Sequence, residues 1–112
     1  MPRKTKQNRY YSEEKWAQVN PDNKRLFDEY FRYCRSTDKS PETIESYYSN
    51  LRIFFLWMLD YCDNKNFTDI EKRDILFFQD WMINDKGLSS NRVRQLKSTV
   101  SSLSDYICDM LD

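Results

Sequence analysis

The chain has 112 residues, of which 16% are aromatic and 32% charged, and its 18 basic and 18 acidic side chains cancel to zero. This length fits one domain with a real core. A single glycine disfavours the many tight turns of a β-sandwich or barrel. Histidine is absent, so the usual Ser/His and Cys/His catalytic pairs cannot form. We expect an α-helical protein with no active site of its own.

The sequence shows no cofactor motif, metal site or membrane segment. Cys34, Cys62 and Cys108 are isolated and lack CxxC spacing, which favours free, reduced thiols over zinc ligands or disulfides. The longest apolar run, Ile53–Leu59, is too short to span a bilayer, and the start lacks the apolar part of a signal peptide. We therefore expect a cytoplasmic protein that binds no cofactor and no metal.

The first eleven residues are predicted to form a flexible basic arm, followed by a helical domain over residues 12–112. The arm is polar and unpatterned, and its charges are all positive. Such a segment could follow a DNA backbone or simply solubilise the protein. Its basic residues are Arg3, Lys4, Lys6 and Arg9.

Proline and capping residues mark the early helices. Ser12 is a suitable N-cap for a short helix over Glu13–Val19. Asn20-Pro21 and Ser40-Pro41 each pair an N-cap residue with a proline at the first helical position. They predict one helix that ends near Ser36–Lys39 and another from Pro41 to about Tyr61. The second half of the latter is apolar all round, including Ile53, Leu56 and Trp57, which predicts a buried central helix.

Two further helices are predicted in the second half of the chain. Thr68 and Glu71 match a capping box, and their helix is expected to run to about Asp85, with Gly87 as the residue that ends it. Its expected inward residues are Ile75, Phe78, Trp81 and Met82. The last helix begins after Ser89 or Ser90, with an apolar stripe at Val93, Leu96, Val100, Leu103, Ile107 and Met110. The fold class is therefore all-α, a compact bundle of four main helices with a possible short fifth at the N-terminus.

Two helix faces have the chemistry of a phosphate-binding surface. The outward face of the last helix carries short polar side chains, and its charged members are basic. Such side chains donate hydrogen bonds to phosphate, and a helix N-terminus attracts anions. A similar polar face opens the central helix, although Glu42 and Glu45 lie within it. A serine-rich solvent-exposed face is the alternative interpretation.

Three segments, in order, resemble the N-terminal core-binding, SAM-like domain of tyrosine recombinases (phage integrases). Residues 40–54, SPETIESYYSNLRIF, resemble its S-x-x-T-x-x-x-Y-x-x-x-L-x-x-F opening. Residues 67–78, FTDIEKRDILFF, and 87–103, GLSSNRVRQLKSTVSSL, resemble its next segment and its last helix. The resemblance covers residues 20–111.

The resemblance implies a bundle of four to five helices that forms half of a C-shaped clamp around the crossover-site DNA. In that family a catalytic domain follows, and it is absent from this chain. The implied partners are double-stranded DNA, the missing catalytic domain and other recombinase protomers. The predicted DNA contacts, from matching positions and their polar neighbours, are Thr43, Ser46, Tyr47, Asn50, Ser89, Asn91, Arg92, Arg94, Lys97 and Ser98.

The main alternative is a helical protein–protein interaction domain with no DNA role. Ile53, Leu56 and Trp57 would then be expected to form an exposed apolar patch. In that case the basic arm would be only a tail.

Overall fold

The computed structural model describes residues 10–111, which contain five α-helices and no β-strand. The all-α prediction is confirmed, including the short N-terminal helix. Turns of π-helix extend the fourth helix over Trp81–Asp85 and the fifth over Ile107–Leu111. The helices are α1 (Glu13–Gln18), α2 (Pro21–Arg35), α3 (Pro41–Tyr61), α4 (Lys72–Asp80) and α5 (Ser90–Tyr106).

Side-chain caps fix four of the helix starts. The side-chain oxygens of Ser12, Asn20 and Ser40 each accept a hydrogen bond from the backbone N–H three residues later. Ser89 does the same for Arg92, so the cap of α5 is Ser89 and not Ser90. Each cap satisfies a backbone donor that the first helical turn leaves free. The predicted starts of these helices are confirmed.

The predicted start of α4 is wrong by one turn. The backbone N–H of Glu71 donates to the Asp74 carboxylate at 3.0 Å, so the capping box joins Glu71 and Asp74. Residues Phe67–Asp69 form a separate 3₁₀ turn. Phe67 is buried in the core, and its N–H donates to the Asn23 side chain at 2.8 Å. This tertiary contact holds Thr68 outside the helix.

The π turn at the end of α5 overturns a second prediction. Met110 was expected to face inward, but it is 58% exposed. The wider turn breaks the three-and-four-residue spacing that keeps side chains on one face. The apolar stripe of α5 is therefore buried only as far as Tyr106.

The core surrounds the second half of α3, as its sequence predicts. Phe54, Phe55 and Leu56 are completely buried, and the Phe54 ring lies 4.7 Å from that of Phe78 in an edge-to-face contact. Ile53 and Trp57 are buried as well. The apolar patch that the protein-interaction alternative expected at Ile53, Leu56 and Trp57 is therefore not on the surface.

Two residues of the predicted N-terminal arm, Tyr10 and Tyr11, contact the helical domain. The Tyr10 hydroxyl donates to the Asp60 carboxylate at 2.6 Å, and the Arg52 guanidinium lies 3.9 Å from the centre of the Tyr11 ring. Both tyrosines belong to the folded domain. The predicted arm residues Arg3, Lys4, Lys6 and Arg9 lie outside the described residues. Within residues 10–111, no helix is both long and apolar enough to cross a membrane.

Candidate nucleic-acid interface

A buried polar contact joins the two helices that carry the predicted DNA faces. Asn50 of α3 donates from its amide nitrogen to the Thr99 hydroxyl of α5 at 3.0 Å. The Asn50 carbonyl oxygen accepts from the Arg92 guanidinium at 2.8 Å. The amide nitrogen and the carbonyl oxygen of the Asn50 side chain both make hydrogen bonds, so the polar faces of α3 and α5 pack against each other along a seam at this residue. The sequence did not show that Thr99 takes part.

Arg92 lies half-buried at this seam without a carboxylate partner among the described residues. Its guanidinium donates to two neutral oxygens, that of Asn50 and, at 3.4 Å, that of Gln95. Burial lowers the pKa of Arg92 from its ordinary value, but a guanidinium stays protonated in proteins. The site therefore holds a positive charge that amide dipoles orient and do not neutralise.

The other two cations in the first half of α5 are held in the same way. Lys97 donates from its ammonium to the Gln79 side-chain oxygen of α4 at 2.5 Å. Arg94 donates to the Asn91 side-chain oxygen at 2.9 Å. Nothing in the sequence indicated that Gln79 would contact Lys97.

Ion pairs in the described part of the chain lie elsewhere. Lysines or arginines contact carboxylates at Lys15–Asp60, Arg25–Asp22, Lys65–Asp74 and Arg73–Glu71. The basic residues of α5 are thus set apart from these paired cations. A surface with unpaired positive charge is the electrostatic requirement for binding phosphate.

The exposed ridge of α5 is polar and free of acidic residues from Ser90 to Ser104. At ~100° per residue, Arg92 and Lys97 lie about 140° apart across the buried side of α5 and about 220° apart across its exposed side. They therefore flank the ridge, one beside α3 and the other beside α4. The exposed residues between them include Asn91, Arg94, Gln95 and Ser98.

The predicted contacts on α3 differ in how accessible they are. Ser46 is exposed, whereas Thr43 and Tyr47 are half-buried. The Thr43 hydroxyl accepts from Ser40 at 3.0 Å as part of the helix cap. The ammonium of Lys39 lies 5.8 Å from the centre of the Tyr47 ring.

Asn50 is placed differently from its predicted role. Only 2% of this residue is exposed, and its side-chain amide contacts both Arg92 and Thr99. Its carbonyl oxygen accepts from the Arg92 guanidinium. The reason for its burial is the packing of α3 against α5, which covers this part of the polar face of α3.

The described residues 10–111 contain no group of three or more metal-ligating side chains close enough to hold an ion.

The described residues form an all-α bundle whose last helix carries basic side chains in its first half. Residues 26–110 match the family described as the phage integrase N-terminal SAM-like domain, and the chain belongs to this family.

A curated relative supports that assignment. The chain is 35% identical over 96 residues to the SPbeta prophage-derived recombinase-like protein YomM of Bacillus subtilis (strain 168). The match covers 86% of this chain but 28% of that protein, so the chain spans less than a third of its relative. No solved structure is significantly similar to the chain.

Proposed function

We propose that this chain is the DNA-binding domain of a site-specific tyrosine recombinase, and that it clamps the crossover-site duplex during DNA integration or recombination. The observation that carries the proposal is the set of cations on α5, which contact amide oxygens in place of carboxylates. Charges held in this way are oriented and remain available to phosphate. The proposed contacts are Thr43, Ser46, Tyr47, Ser89, Asn91, Arg92, Arg94, Lys97 and Ser98, with Asn50 as a positioning residue.

The energetics of Arg92 favour an anionic ligand. Partial burial of a guanidinium without a counter-ion costs free energy, because the charge loses water and gains only neutral partners. A phosphate at this site would supply a charge-assisted, potentially bidentate contact that offsets the cost. The phosphates of duplex DNA would provide such a contact for Arg92.

The proposed role leaves the chemistry to a catalytic domain outside this chain. Its further partners would be that catalytic domain and other recombinase protomers on the same DNA. The lack of histidine in the sequence is the basis for assigning no catalytic step to these 112 residues. The free thiols of Cys34, Cys62 and Cys108 suit the reducing cytoplasm, where we place the protein.

A backbone-amide NMR titration with a short duplex tests the proposal. We expect shifts to concentrate at residues 43–50 and 89–98 and to weaken as salt rises, because phosphate contacts release counterions. Absence of shifts at both segments, or binding that does not depend on salt, would refute the DNA-binding role. Shifts confined to residues 1–9 would assign binding to the arm alone.

A protein-contact role has one observation in its favour. Leu76, Phe77 and Ile83 on α4 and its π turn are 61%, 57% and 45% exposed. Exposed apolar side chains grouped on one element are typical of protein contacts. The test is sedimentation of the chain with and without Phe77→Ser, in which a change of oligomeric state would support this second candidate.

A further inference from the structure

A cleft lies between the N-terminal segment, the end of α4 and the start of α5. Its volume is about 760 Å³. Ile53, Trp81 and Leu88 contribute apolar surface, while Lys86 and Arg92 contribute positive charge. This combination suits a ligand with an anionic group attached to an apolar body.

Lys86 is a cation in this cleft that lies outside the predicted DNA faces. Its ammonium lies 5.3 Å from the centre of the Tyr10 ring and 5.5 Å from that of Trp81. Aromatic faces attract a cation without cancelling its charge. Asp85 also lines the cleft, but no ion pair joins it to Lys86 among the described residues.

Lys15 also lines the cleft and provides the contrast. Its ammonium contacts the Asp60 carboxylate at 2.7 Å, so its charge is largely compensated. The positive charge of the cleft that no ion pair among the described residues compensates is therefore at Lys86 and Arg92.

The backbone between α4 and α5 holds Lys86 in place. The N–H of Lys86 donates to the Trp81 carbonyl, and that of Leu88 to the Met82 carbonyl, both at 3.0 Å. Gly87 between them has φ +65°, a conformation that other residues rarely adopt. Lys86 lies three residues before Ser89, the N-cap of α5. The dipole of α5 also favours an anion near the N-terminus of that helix.

We propose that this cleft binds a phosphate of the DNA backbone, contacted by Lys86 and Arg92, with the adjoining deoxyribose against Leu88. The proposal rests on the DNA-binding function above and extends it to the loop before α5. The DNA strand would thus continue past the N-terminus of α5 toward Tyr10.

The test compares Lys86→Gln with the matched control Lys24→Gln, which removes the same charge from α2. Duplex binding is measured by fluorescence anisotropy at several salt concentrations. Log affinity falls with log salt with a slope of about −0.9 per phosphate contact, so Lys86→Gln should make that slope less negative by about 0.9. The affinity of the Lys86→Gln variant for the duplex at about 0.1 M salt should fall about eightfold, while the affinity of Lys24→Gln should stay near that of the wild type. Thermal unfolding of both variants checks that the fold is intact.

The outcomes separate this inference from the general function. If Arg94→Gln weakens binding and Lys86→Gln does not, the domain binds DNA but the cleft proposal is wrong. If the wild-type chain does not bind duplex at all, both proposals are wrong. A titration with inorganic phosphate, followed by NMR, is the third measurement. If it shifts the Lys86 and Ser89 amide resonances at concentrations as low as the duplex does, the cleft binds a free phosphate compound and the proposed DNA contact is overturned.

Discussion

Replacing Asn50 with aspartate tests whether the neutral partner of Arg92 matters for DNA binding. Asn50→Asp is nearly isosteric and changes one amide into a carboxylate 2.8 Å from the guanidinium. The new carboxylate should hold Arg92 as firmly as before but cancel its charge toward phosphate. In the wild type the Thr99 hydroxyl accepts from Asn50 and donates to the Gln95 carbonyl, so it must turn away from that carbonyl to donate to the new carboxylate.

The expected magnitude is the loss of one phosphate contact. The slope of log affinity against log salt should become less negative by about 0.9, and the affinity at about 0.1 M salt should fall about eightfold. That factor corresponds to about 1.2 kcal/mol. The free energy of unfolding should change by less than about 1 kcal/mol, since the desolvation cost of a buried ion pair roughly offsets its attraction.

The assay is fluorescence anisotropy with a labelled duplex, supported by urea unfolding. Gln18→Glu is the matched control, because it makes the same charge change at an exposed position on α1. Equal affinities and equal salt slopes for the two variants would refute the reasoning. A large loss of stability in Asn50→Asp alone would show that the amide has mainly a structural role.

Three further predictions concern stability. Phe54→Ala should lower the free energy of unfolding by about 3–5 kcal/mol in urea denaturation, because Phe54 is completely buried at the centre of the core; a loss below about 1 kcal/mol would contradict this packing. Ser89→Ala should cost about 1 kcal/mol by removing the cap of α5, and Ser89→Gly less; equal losses would argue against the cap. The hydrogen bond from Lys65 holds the pKa of Asp74 below its ordinary value. The ionised carboxylate therefore stabilises the fold above about pH 4, and this stabilisation is lost as the pH falls through the lowered pKa. Asp74→Asn should thus be less stable than wild type at neutral pH and equal to it in acid, whereas a difference independent of pH would exclude this charge effect.

The helix starts were predictable where a local signal acts alone. Asn20 and Ser40 each cap the helix that the following proline begins, and both signals lie within a few residues. At α4 two overlapping patterns competed, Thr68–Glu71 and Glu71–Asp74. The burial of Phe67 and its hydrogen bond to Asn23 select the second pattern. That contact joins residues 44 positions apart, so no local pattern could indicate it.

The candidate site was predictable in composition but not in arrangement. The basic first half of α5 and the polar face of α3 were visible as residue types on helical faces. Helical periodicity could not show that Asn50 would be covered by α5, or that Arg92 and Lys97 would lie beside different helices. Lys86 lies in a connecting loop, where no periodicity assigns a direction to its side chain.

The central claim is that the cations of α5 contact DNA phosphates. The most direct measurement is the salt dependence of duplex binding by the triple variant Arg92→Gln, Arg94→Gln, Lys97→Gln. Its matched control is Lys24→Gln, Arg25→Gln, Arg32→Gln, which removes three charges from α2. The account predicts that the α5 variant makes the slope of log affinity against log salt less negative by about 2.7, while the control leaves the slope unchanged. Equal slopes in the two triple variants would contradict it.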